Sequence, residues 1–303
     1  MIILLAVVGI LGVSASGPIM AATMAPPLTI ALWRNIFGAA ALGIPAVLKD
    51  RSQFTSLSRS ELKYLVIAAA ALALHFACFV TSVKLTSVAA ATALVCLQAA
   101  WIALFQWIRG RKPARPVVLG LGTSLMGVVV ITGFDMGVSR EALLGDLLAV
   151  AGGALAAVYT LAGARARKTL STSVYSSICY GLCAVVILAM CLVFGQPLVD
   201  IPAGAWVGII AVTVAAQLLG HTIFNHLLAT ISPLVVSMMI LLEIPGAALL
   251  AGIFLGQELP GGTYVGLALI LAGLAIVIMR QGRSGLKNQP RRLRPRKKPK
   301  DAS

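Results

Sequence analysis

Glu243 stands ten residues after Pro233 in an otherwise apolar run, a distance of about 15 Å along a helix. An ionisable side chain at that depth in a bilayer costs about 2.5–3.5 kcal/mol on insertion scales, so it faces a partner or a wet cavity. Two chemistries fit it. A neutral Glu bonded to a neighbouring helix is packing glue, whereas a carboxyl open to a cavity exchanges a proton or binds a solute. Pro245, two residues on, has no N–H to offer the Leu241 carbonyl, so a helix kink is expected there with that carbonyl left for water, solute or a side chain.

Gln217, His221 and Asn225 follow one another at i, i+4 and i+8, a spacing that puts all three on one face of a regular α-helix. A polar stripe in an apolar helix points inward, to line a cavity or to bond a neighbouring helix. His221 changes charge near neutral pH and is a second candidate for proton coupling; His226 lies nearer the helix end. Gln98 and Trp101, three apart, share a face and place an amide beside a ring able to stack on an organic solute. Tyr159 offers the same choice between packing and solute contact. Arg34, inside an apolar run, either snorkels to the surface, pairs with an acid or binds an anion.

The elements that must hold these residues follow from composition. Hydrophobic residues make up 59% of the chain, charged residues 11%, and the mean hydropathy is +0.98, too little polar surface to coat a water-soluble globule. Lipid is the solvent, and a span needs about 20 apolar residues. Ten runs qualify: 2–22, 28–48, 63–82, 87–108, 116–134, 143–163, 173–194, 205–228, 233–256 and 262–280. The expected fold class is an all-α membrane protein of about ten transmembrane helices. The first run is not read as a signal peptide, because no Lys or Arg precedes it and it exceeds a signal core in length.

Of the 24 Lys and Arg, all but Lys84, Arg140 and Arg34 fall in loops after even-numbered helices or from Arg280 onward. The bias of basic loops toward the cytoplasm then puts both termini inside. The outer ends carry Asp135, Glu141, Asp146, Asp200 and Glu258. The net charge of +15 reflects this topology and the tail Arg291–Lys300, not nucleic acid; the tail is expected to be disordered and to touch anionic lipid headgroups. Cys78, Cys96, Cys179, Cys183 and Cys191 all lie within spans, as apolar fillers rather than a disulfide framework.

At an offset of 146, residues 75–132 align without a gap on 221–278, pairing His75 with His221, Gly110 with Gly256, Gly120 with Gly266 and Gly127 with Gly273. Upstream, Leu4-Leu-Ala-Val-x-Gly9 matches Leu147-Leu-Ala-Val-x-Gly152 at an offset of 143. The organisation expected is a first five-helix repeat over 1–138, a second over 139–281 and a basic tail over 282–303. Five is odd, so the halves are inverted, the architecture of many secondary transporters with a site near the midplane. Small-residue pairs such as Gly12/Ser16, Gly152/Ala156 and Gly262/Gly266 allow close helix contact.

The chain resembles the EamA-type branch of the drug/metabolite transporter superfamily. The resemblance covers nearly everything before the tail and is carried by Trp33-Arg34, Ala229-Thr-Ile-Ser-Pro233, Glu243-Ile-Pro245 and the Gly-x-Glu ending Leu255-Gly256-Gln-Glu258-Leu. In the first half Gln98-Ala-Ala100 and Lys112 stand where that family commonly has a proline and an acid. The resemblance implies a ten-helix basket around a central cavity, lined by helices other than five and ten, that moves small metabolites across a bacterial inner membrane.

The function expected is secondary active transport of a small organic metabolite (amino acid, nucleoside, vitamin or drug-like compound), proton-coupled or by exchange, through alternating access. A lipid flippase or a channel-like facilitator is the alternative. Catalysis is not expected: no His-Glu-x-x-His occurs, and Gly12-Val-Ser14-Ala-Ser16-Gly17 fails the Gly-x-Ser-x-Gly pattern. No Gly-x-x-x-x-Gly-Lys-[Ser/Thr] is present, and no cofactor or metal is expected. The partners foreseen are the solute and the bilayer, with the chain a monomer or a homodimer. The topology is checked by reporter fusions: one on the tail and one in the loop around Gln196 are expected in opposite compartments, and matching compartments would sink the ten-helix reading.

Overall fold

A computed structural model describes residues 1–134, 139–258 and 261–287; Asp135 and the tail from 288 onward, with its Arg291–Lys300 cluster, lie outside the described residues. Among the described residues ten helices follow in chain order: α1 (Ile2–Ala22), α2 (Pro27–Thr55), α3 (Arg59–Leu85), α4 (Val88–Ile108), α5 (Arg115–Phe134), α6 (Arg140–Ala166), α7 (Thr172–Val193), α8 (Ala203–Leu227), α9 (Pro233–Leu255) and α10 (Gly261–Lys287). Eight are long and apolar enough to cross a membrane, and α5 and α10 carry shorter apolar stretches, Arg115–Val130 and Tyr264–Gly273. Large apolar side chains such as Leu11, Leu48, Leu192, Val207 and Phe254 stand exposed on the outside, as a lipid-facing surface requires. This is a multi-pass membrane protein.

Helix starts follow one local rule. Ser58, Ser87, Ser139, Ser171 and Ser232 cap α3, α4, α6, α7 and α9, each side-chain oxygen accepting from a backbone N–H of the first turn. At α3 the cap is a full box, because Glu61 accepts in return from the Ser58 N–H at 2.7 Å. The helices on the basic side run a few residues past the apolar runs, α2 reaching Thr55 with a kink at Asp50.

Contacts between repeat mates fix the architecture as two inverted five-helix repeats around a central cavity. A side chain at Gly127 would strike the Gly266 carbonyl, and one at Gly273 would strike the Gly120 carbonyl. These two contacts exchange when each residue is replaced by its mate 146 positions away, so a pseudo-two-fold axis passes through the α5–α10 crossing. Ser124 donates to the carbonyl of its own mate, Ile270, at 3.4 Å. The rings of the mates His75 and His221 lie 6.3 Å apart on the same axis. Off the axis, Gly9 on α1 lies against Phe224 of α8, as its mate Gly152 on α6 lies against Cys78 of α3. Those pairs join the 143 and 146 offsets into one duplication.

The mates are not identical in shape. Helix α1 resets at Ala15 between Ile2–Ser14 and Ser16–Ala22, whereas α6 is continuous. Helix α8 widens to a π-helix over Thr213–His221, whereas α3 is regular. The wide turn meets α1 backbone to backbone, with Gly12 facing the Ala215 carbonyl and Gly220. Helices α4 and α9 break alike: α4 at Cys96–Leu97 and α9 at Leu241–Leu242, through hydrogen bonds three residues apart such as Leu97 N to Leu94 O (3.2 Å) and Leu242 N to Met239 O (3.1 Å).

Because Gly127 and Gly273 each meet backbone, Gly127→Ala or Gly273→Ala forces α5 and α10 apart, an overpacking cost of about 1–3 kcal/mol. Gly122, with nothing within 4 Å of a would-be side chain, is the control. Thermal unfolding in detergent is expected to show a lowered Tm for the first two variants and an unchanged or slightly raised one for Gly122→Ala; equal behaviour at all three sites would remove the close crossing.

Candidate functional site

The two breaks meet at the centre, where the Cys96 thiol lies 3.7 Å from the Ile240 carbonyl. Around them is a cavity of about 40 Å³ lined by α1, α3, α4, α6, α8 and α9, and by neither α5 nor α10. That volume admits water but is far below the roughly 300–1,000 Å³ of small-molecule sites, so the centre is contracted around its polar groups.

Glu243, Gln98, His75, His221, Asn225 and Tyr159 all face this cavity. Glu243 is the first residue of the second segment of α9, at a helix start that favours negative charge. It is buried, makes no side-chain hydrogen bond among the described residues, and has Arg34 as its charged neighbour. The kink foreseen at Pro245 sits at Leu241–Leu242, and the Leu241 carbonyl is not open: the Ile244 N–H donates to it at 3.2 Å. On the repeat mate, Gln98 opens the second segment of α4 and donates to Thr160 at 3.3 Å. His75 Nδ1 pairs with the Gly152 carbonyl at 3.0 Å. Tyr159 donates to Asn225 Oδ1 at 2.7 Å, and the Asn225 amide reaches Ser176 and Tyr180 at 3.2 and 3.4 Å. His221 packs edge-on against His75, Phe76 and Tyr159.

Four other residues read from the sequence lie elsewhere. The π turn divides the expected stripe: His221 and Asn225 face the cavity, but Gln217 turns to α2, accepting from Arg34 Nε and donating to Asn35 Oδ1, each at 3.0 Å. Trp101 packs on Phe105 in a separate apolar cluster. Arg34 neither snorkels nor pairs with an acid. It is fully buried over the Phe76 ring at 4.2 Å, donates further to the Met20 sulfur at 3.5 Å, and leaves Nη2 without a partner. His226 is exposed beside Thr172 at 3.1 Å. Sequence reasoning did not single out Thr160, Ser16, Cys96 or Phe79 as cavity walls; nothing in their local pattern distinguishes them from helix packing.

The two faces of the molecule differ. On the face with the basic loops a cleft of about 880 Å³ opens between the ends of α3, α4 and α6 and the α8–α9 link, and Leu228 is a wall of both cleft and central cavity. The opposite face is tied by bonds between helix ends. Lys84 donates to the carbonyls of Ala21 and Thr23 at 3.0 and 2.6 Å, closing the end of α1 as a cation does at a helix C-terminus. Thr29 and Trp33 bond the carbonyls of Pro197 and Leu198, each at 2.6 Å, and the Val88 N–H bonds Gln257 at 3.3 Å.

A solved crystal structure at 21% sequence identity superposes with a TM-score of 0.70, covering 92% of this chain and 97% of the other, which establishes a shared fold. No curated protein matches the chain. The EamA-like transporter family matches residues 1–133 and again 143–279, one match for each half, and the chain belongs to that family.

Proposed function

We propose that this chain is a secondary active carrier that moves a small organic metabolite across a bacterial cytoplasmic membrane by alternating access, coupled to protons or by exchange. The observation that carries the reading is Glu243: a carboxyl at a break in α9, facing the central cavity with no hydrogen-bonding partner among the described residues. A carboxyl serving only as helix glue has a bond to make; one that must take and release a proton keeps its lone pairs free. The positive-inside bias orients the basic face, its cleft and both termini toward the cytoplasm. With the cleft open and the Lys84 face tied, the arrangement suits the inward-facing state of such a cycle.

Glu243→Gln keeps the shape and removes the titration. In proteoliposomes it is expected to abolish gradient-driven accumulation of solute while sparing exchange, with Glu243→Asp retaining part of the activity. His221→Asn is the comparison, since His221 shares the cavity. Glu243→Gln protein that still concentrates solute with an unchanged pH dependence would reduce the carboxyl to packing and move the coupling to His221 or another ion. Passive equilibration by the unaltered protein, with no accumulation under any gradient, would favour a channel-like facilitator.

A further inference from the structure

The positive-inside rule explains why one face of the molecule is basic, but not how the charges are distributed on it. Lys63 from α3, Arg109 and Arg111 from the end of α4, and Arg165 and Lys168 from the end of α6 all line the 880 Å³ cleft, and among the described residues no Asp or Glu lines it. These residues are far apart in sequence and converge only in the fold. The described acids on this face are engaged elsewhere: Glu61 holds the Ser58 N–H at 2.7 Å and the Thr169 hydroxyl at 2.6 Å, and Asp50 is bonded by Gln53 at 3.3 Å. A concavity of one charge sign with low-dielectric walls focuses its field and concentrates counter-ions 10-fold or more. The rest of the lining mixes apolar and aromatic side chains, including Tyr64, Phe105, Leu161 and Ile231, with the neutral polar Gln106, Thr230 and Ser232, and the volume falls within the roughly 300–1,000 Å³ of small-molecule sites. The fully buried Arg34 guanidinium, the charged neighbour of Glu243, has no carboxylate bonded to it among the described residues.

We infer that the cleft collects an organic anion, a solute with a carboxylate or phosphate group on an apolar or aromatic body, and delivers it to the central cavity. The inference rests on the carrier reading and supplies its substrate class. The phosphate of an anionic lipid headgroup shares this chemistry, and the test separates the two sources.

The test measures the field in the cleft directly, in nanodiscs, where both faces are open to reagent. Ala229, exposed on the cleft wall, is changed to Cys; Ser56, exposed on the same basic face outside the cleft, gives the reference variant Ser56→Cys, and the unaltered chain corrects for the native thiols. Each is reacted with a sulfonatoethyl (anionic) and a trimethylammonium-ethyl (cationic) methanethiosulfonate. In phosphatidylcholine discs the anionic-to-cationic rate ratio at Ala229→Cys is expected to exceed that at Ser56→Cys about tenfold. Adding Arg109→Gln, Arg165→Gln and Lys168→Gln is expected to bring it to the reference value. A ratio at the cleft no higher than at Ser56→Cys overturns the proposal. A preference that vanishes when phosphatidylglycerol is added assigns the cleft to lipid headgroups and overturns its role for a free solute. The thiol reaction needs no gradient, so its failure leaves the Glu243 coupling standing, and uncoupled Glu243→Gln protein leaves the rate ratio unchanged.

Discussion

A backbone amide in hydrocarbon has no water to bond, so irregular backbone survives at bilayer depth only where protein or a wet cavity covers it. The places where this chain departs from the α-helix obey that limit. The breaks at Cys96–Leu97 and Leu241–Leu242 face one another across the cavity, and the π turn of α8 lies against the glycine face of α1. Each departure relieves its own cost locally, through bonds three residues apart at the breaks and through the Thr222 hydroxyl on the Gln217 carbonyl at 2.8 Å beside the π turn. What results is a centre in which side chains from six helices converge and the lipid face stays regular.

Duplication explains why the breaks come as a pair. The α5–α10 crossing, with its two glycine contacts, needs both halves to present the same surface, and so does the His75–His221 contact. The axis therefore fixes the two halves against each other at two levels. The mates nonetheless differ in shape: α1 is reset and α6 straight, α8 is wide and α3 regular. One sequence pattern held in two shapes is the asymmetry that lets one face carry a cleft and the other a set of interhelical bonds.

Hydropathy and charge made the ten helices, their order and the repeat legible, because apolar runs of spanning length admit no competing structure in lipid. Local irregularity was not legible. The α4 break occurs in Val95-Cys-Leu-Gln98, which contains neither Gly nor Pro, and it arises from packing against the α9 break rather than from a backbone preference. The same applies to the polar stripe: the spacing of Gln217, His221 and Asn225 is read correctly only if the helix is α throughout, and the π turn sends Gln217 to Arg34. Lys84 showed in the sequence merely as an exception to the charge bias, and its role as a donor to the end of α1 depends on a contact across about sixty residues.

Arg34 is the residue that stability alone does not account for. A buried charge is expensive even when paired, and its replacement by apolar groups of similar size is often neutral or favourable. Here the guanidinium has a glutamine, a thioether and an aromatic face for company, and one nitrogen is left without a partner. Neutral partners hold the cation in place without cancelling its field, which a carboxylate at hydrogen-bonding distance would do. That field acts on Glu243, His75 and His221 together, three of the titratable groups on the cavity wall. An uncompensated cation behind a cavity makes the ionisation of each group facing it dependent on what negative charge the cavity holds. This is the property a carrier of anions needs if solute and proton are to sense one another through space rather than through a bond.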